Sequence, residues 1–121
     1  MTPDTFRAMA LRLPDVVEGA HMSHPDFRVR GRIFATLGYP GREFATVMLT
    51  PAEQAEFVKE GGGAFAPAAG GWGLKGSTSV RLSLAKPALV GKALAAAWTR
   101  KSAAPARARR AGRGAGSGKN S

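Results

Sequence analysis

Apolar residues recur first at helical spacing. Phe6, Met9, Ala10 and Leu13 repeat three and four positions apart, behind Thr2, whose hydroxyl suits a cap, and Pro3, which suits the first helical position. Asp4 complements the positive helix end, and Pro14 stops the element. After a loop holding Glu18, His21 and His24, the period changes to two. Phe27 and Val29 alternate with Arg28 and Arg30, and Ile33, Ala35 and Leu37 alternate with Arg32, Phe34 and Thr36. A turn at Arg30-Gly31 or Gly31-Arg32 makes these two runs a hairpin. Gly38-Tyr39-Pro40-Gly41 forms the next turn, and Phe44 to Leu49 reads as a third strand.

Thr50-Pro51-Ala52-Glu53 has the form of a capping box, which predicts a short helix from Pro51 to about Glu60, stopped by Gly61. Gly61 to Thr78 holds seven glycines, too many for a regular helix, yet Phe65 and Trp72 within it predict a packed loop or a short edge strand. Ser79 to Leu84 alternates Val80, Leu82 and Leu84 with Arg81 and Ser83, a fourth strand. Pro87 opens a helix in which Val90, Leu94, Ala97 and Trp98 share a face. The fold class is therefore α+β: an antiparallel sheet of about four or more strands, flanked by N- and C-terminal helices, with a short helix after the third strand. One domain spans residues 1–102. Residues 103–121 lack apolar periodicity and predict a basic segment that is disordered when free.

Charge sharpens this picture. Residues 1–60 hold eight acids and seven bases, whereas residues 61–121 hold eleven bases and no acid. Such one-signed sequence favours a polyanionic partner, nucleic acid first. The absence of cysteine excludes disulfides, thiolate metal sites and cysteine nucleophiles, and suits a reducing compartment. With no signal-peptide pattern and no apolar run long enough to span a bilayer, the expectation is a soluble cytoplasmic monomer without a membrane partner.

Candidate chemistry is sparse. Gly71, Gly73 and Gly76 match G-x-G-x-x-G as a string, but no acid follows to hold a ribose, and Lys75-Gly76-Ser77 has the wrong order for a phosphate loop. His21 and His24, with Glu18 and Asp26 nearby, present possible ligands to one divalent ion, or else a polar loop that hydrogen-bonds the hairpin. No metal or cofactor is expected, and no G-x-S-x-G elbow marks a nucleophile. Strand alternation places Phe27, Val29, Ile33, Ala35, Val80 and Leu82 toward a core and sends Arg28, Arg30, Arg32 and Arg81 to the opposite face. These guanidiniums are candidate phosphate contacts, with Phe34 or Tyr39 available to stack on a base; alternatively they guard a solvent face against edge pairing. Arg100, Lys101, Arg107, Arg109, Arg110, Arg113 and Lys119 extend the basic character, as nucleic-acid contacts or as a solubilising extension.

Three stretches carry a family resemblance. His24-Pro25-Asp26-Phe27-Arg28-Val29-Arg30-Gly31-Arg32-Ile33-Phe34-Ala35, then Trp72-Gly73 with Gly76-Ser77-Thr78-Ser79-Val80-Arg81-Leu82, and Ala93-Leu94 with Ala97-Trp98 resemble the MmcQ/YjbR family of small bacterial proteins, over residues 2–101. Arg28 through Ala35 corresponds to its R-V-x-G-[KR]-I-F-A segment. The resemblance implies an α+β fold similar to frataxin-like (CyaY-like) proteins and to a double-wing DNA-binding domain, and a label of DNA binding that rests largely on fold. It implies no catalytic set. Frataxin-like iron binding needs an acidic ridge, whereas the first helix offers only Asp4. The expected function is non-enzymatic binding of nucleic acid, DNA foremost, with low sequence specificity, through the basic segment and the arginine-bearing hairpin. The alternative is a small-ligand or protein-interaction domain with a site near His21, His24, Tyr39 and Trp72.

Overall fold

The computed structural model describes residues 1–103. Helix α1 (Pro3–Leu11) starts as expected, with the Thr5 N–H donating to the Thr2 hydroxyl at 3.1 Å, and it buries Phe6 and Ala10. Strands β1 (Val16–His21), β2 (His24–Val29), β3 (Arg32–Leu37) and β4 (Phe44–Met48) follow, then α2 (Pro51–Glu60), β5 (Phe65–Pro67), α3 (Gly70–Leu74), β6 (Ser77–Arg81) and α4 (Pro87–Ser102). Both halves of the α2 capping box form: Glu53 N–H to Thr50 Oγ1 at 3.1 Å, and Thr50 N–H to Glu53 Oε1 at 2.9 Å. The strands make one antiparallel sheet in the order β1-β2-β3-β4-β6-β5.

One face of that sheet is the core. Phe27, Val29, Ala35, Leu37, Ala45, Val47 and Val80 bury against Phe6 and Ala10 of α1 and against Val90, Ala93, Leu94 and Ala97 of α4. Phe65, opposite Val80 in the register, extends this face, where Phe57 of α2 stacks on it at 5.7 Å. The other face bears no helix among the described residues. Its residues, read from the register, are Val17, Arg28 and Ile33, with Met48 and Ser77 toward the same end; then Gly19, Asp26, Thr36, Thr46, Ser79 and Ala66; then Phe44 and Arg81, with His21 and His24 toward that end.

Four expectations are corrected. The loop before Asp26 is the edge strand β1 and the start of β2, closed by a Met22-Ser23 turn. Both turn residues are left-handed, φ 50° and 68°, which is the I′ pattern normally announced by Asn-Gly; neither residue announces it. The second correction concerns β3. Phe27 opposes Ala35 but Arg28 opposes Ile33, so Phe34 is an extra residue in β3, a bulge that buries its ring completely. Ile33 is thereby turned to the open face and Arg32 to the core side. Burying a phenyl ring is worth about 1.5–3 kcal/mol and a ladder hydrogen bond about 0.5–1.5 kcal/mol, so the bulge wins over strict alternation.

Third, β6 ends at Arg81, and Leu84 lies exposed in the following turn. Fourth, the glycine-rich segment contains both the expected edge strand, β5, and a helix, α3, that the glycine count argued against. Packing accounts for α3: a Cβ on Gly73 would overlap the Ala68 carbonyl, and one on Gly76 (φ 111°) would overlap the Leu49 carbonyl. Trp72, expected to pack, is 70% exposed. Gly71, in the same helix, has open space around it. Gly73→Ala is therefore expected to destabilise by about 1–3 kcal/mol through overpacking, and Gly71→Ala to stabilise by about 0.5–1 kcal/mol through helix propensity. Urea-denaturation midpoints of the two variants check the opposite signs.

Candidate functional site

The bulge separates the four hairpin and strand arginines that were expected on one face. Arg28 and Arg81 remain on the open face, Arg30 sits in the Arg30-Gly31 turn, and Arg32 turns to the helix side. Arg28 is already partnered. Its Nε and Nη2 donate to Oδ1 and Oδ2 of Asp26 at 2.8 and 3.0 Å, and Nδ1 of His21 donates to Oδ2 at 2.9 Å. Asp26 is fully buried, yet the Arg28 hydrogen bonds, outweighing burial and helped by His21, hold its carboxyl below the usual carboxylate value of 3.8. Asp26 in turn makes Arg28 hold its proton more tightly. Glycine at position 19 leaves the room: a Cβ there would stand 3.0 Å from Asp26 Oδ1 and 3.3 Å from Arg28 Nε.

Of the alternative pocket, three residues meet and one does not. His21 and His24 oppose each other on the last rung of the β1–β2 hairpin, and His24 meets the Tyr39 ring edge-on at 5.9 Å. Trp72 follows β5, at the opposite edge of the sheet from β1. Glu18 is drawn away to the helix side, where it bonds Arg7 of α1 at 2.6 Å. No group of three metal-ligating residues assembles among the described residues. Phe34, proposed to stack on a base, is in the core and cannot do so.

A second constellation gathers at the other end of the sheet, where the β2–β3 turn, the end of β4, the start of α2, α3 and the C-terminus of α4 meet. Arg32 Nη1 donates to the carbonyls of Lys101 and Ala103 at 3.4 and 3.2 Å, satisfying the end of α4 and complementing its dipole. The Arg100 guanidinium donates to the Met48 carbonyl, with its Nε 3.9 Å from Glu53 Oε1. Burial, followed by repulsion from Arg100 and then Arg32, pushes the Lys101 ammonium below its ordinary value. Arg30 is exposed in its turn, and Lys75 lies over the Trp72 ring at 5.9 Å. Sequence reasoning grouped Arg100 and Lys101 with the basic residues that follow them; the fold places them in the last turn of α4, where they meet Arg32. Arg107, Arg109, Arg110, Arg113 and Lys119 lie outside the described residues.

A family model described as YjbR matches residues 11–100. The fold is similar to the crystal structure of Deinococcus radiodurans protein DR2400, whose domain is described as DUF419, with a TM-score of 0.65 and 21% identity over 80% of this chain and 75% of that one. At that identity the likeness is one of fold. Comparison with curated proteins finds no match.

The depressed Asp26 pKa fixes a sign for pH dependence. Below the ordinary carboxylate value the unfolded chain takes up a proton that the folded chain resists, so the stability Asp26 contributes at neutral pH is lost as pH falls through about 4 and lower. Asp26→Asn is expected to lower stability at pH 7 by about 2 kcal/mol and to flatten that acid limb, as read by urea unfolding at pH 7, 5 and 3.

Proposed function

Because the chain belongs to the YjbR family, matched over residues 11–100, we propose a function for this fold as this chain builds it: non-enzymatic binding of nucleic acid, chiefly through phosphates and with low sequence specificity. One observation carries the reading. Arg32 bonds the Lys101 and Ala103 carbonyls and Arg100 bonds the Met48 carbonyl, so Arg32, Arg100 and Lys101 share one corner, with Glu53 Oε1 3.9 Å from Arg100 Nε as the acid that approaches them. A phosphate brought to this corner meets cations that repel one another. Arg30 and Lys75 lie at the same end, and the sequence continues beyond it with Arg107, Arg109, Arg110 and Arg113 and without an acid. Contacts from such donors to phosphate oxygens position a nucleic-acid chain and carry no sequence information.

The hairpin contributes less than its arginine count suggests. Arg28 is neutralised by Asp26, which leaves Arg30 as the exposed hairpin cation. A second reading, a small-ligand or protein-contact site, is favoured by the His21–His24–Tyr39 corner, in which the buried Asp26 orients His21.

Fluorescence anisotropy of labelled duplex and single-stranded DNA, across a salt titration, tests the proposal. The full chain is expected to bind both with an affinity that falls by orders of magnitude between about 50 and 200 mM salt. Arg30→Ala with Lys101→Ala is expected to reduce the log–log salt slope by about 2, close to 0.9 for each phosphate that is no longer neutralised. Arg28→Ala is expected to lower stability and leave the slope unchanged. Absence of binding at about 150 mM salt, or an unchanged slope in the double variant, overturns the reading.

A further inference from the structure

Trp72 is the large aromatic that the fold leaves most exposed, at 70%, and Leu74 beside it is 83% exposed. Sequestering a ring of this size would stabilise the fold, and this fold leaves it in solvent. The glycine-rich segment that carries it is held still. Gly73 packs on the Ala68 carbonyl, the Gln54 side-chain amide donates to the carbonyls of Gly73 and Ser77 at 3.0 and 2.9 Å, and the Gly76 N–H donates to the Gly73 carbonyl at 3.1 Å. Gly70, Gly71 and Gly73 put no side chain beside the ring, so a flat aromatic surface is presented at a fixed position and with little ordering left to do.

The charge around it selects the occupant. Lys75 Nζ stands 5.9 Å from the ring centroid, no acid occurs in the sequence after Glu60, and α3 lies at the end of the sheet that gathers Arg32, Arg100 and Lys101. A planar group attached to an anion matches both halves of the site. We propose that Trp72 is a stacking platform for an unpaired base of single-stranded nucleic acid, with Lys75 taking the adjoining phosphate. This rests on the nucleic-acid reading above and adds a preference for unpaired strands, because a base held in a duplex does not offer its face.

The test uses the full chain, a labelled single-stranded oligothymidylate and the corresponding duplex, with anisotropy for binding and tryptophan emission for contact. Trp72 and Trp98 are the two tryptophans, so the difference in emission between the unaltered chain and Trp72→Phe isolates the Trp72 signal. The expected result is quenching of Trp72 emission by the single strand and a loss of single-strand affinity of roughly 5- to 150-fold in Trp72→Ala, the range for one stacked base. Trp72→Phe, which keeps a ring, recovers most of that loss, and duplex affinity is unchanged in both variants. Single-strand binding without quenching, and equal in Trp72→Ala, overturns the platform and leaves the phosphate reading standing. Binding of neither strand form overturns both. Trp72 emission that shifts with protein concentration alone assigns the surface to a second copy of the chain and overturns the proposal.

Discussion

The β-bulge at Phe34 is the constraint on which the rest of the arrangement depends. One additional residue in β3 lets Phe34 join the core without displacing Ala35 and Leu37, and it reverses the orientation of everything between the bulge and the Arg30-Gly31 turn. Arg32 is thereby aimed at the end of α4, and Ile33 at the open face. An unbulged strand would have left α4 without its capping guanidinium and would have turned Arg32 to the face that carries Arg28. The placement of the Arg32 charge is thus set by the packing of one phenylalanine.

Much of the fold was legible because local signals and tertiary demand agree. Thr2-Pro3, Thr50-Pro51 with Glu53, and Pro87 each mark a helix start that packing then uses, and Val90, Leu94 and Ala97 lie on the buried side of α4 as their spacing requires. Where the reading failed, a tertiary effect exceeded a local one. β1 escaped notice because its outward Val17 and its Gly19 break the alternation, and because Met22-Ser23 turns without glycine. Alternation placed Ile33 inside because nothing in a two-residue period reveals an inserted residue. The glycines of α3 read as helix-breaking, yet Gly73 permits a backbone contact closer than any side chain allows, as does Gly76 just beyond the helix.

The site residues were legible as types and misplaced as a group. Composition identified the arginines; only the fold separates Arg28, tied to a buried carboxylate, from Arg30, exposed in a turn, and Arg32, which closes a helix. The same holds for His21, His24 and Tyr39, which do come together, and for Trp72, which the width of the sheet keeps from them. Contacts between residues 69 and 71 positions apart, such as those of Arg32 with Lys101 and Ala103, have no signature in a single chain.

Those long-range contacts also give the fold a mechanical property. The C-terminal end of α4 is tied laterally to the sheet at two points, to β3 through Arg32 and to the end of β4 through Arg100. The last turn of α4 is therefore fixed to the middle of the sheet as well as to its own helix, so fraying of that turn requires these bonds to two interior strands to break first.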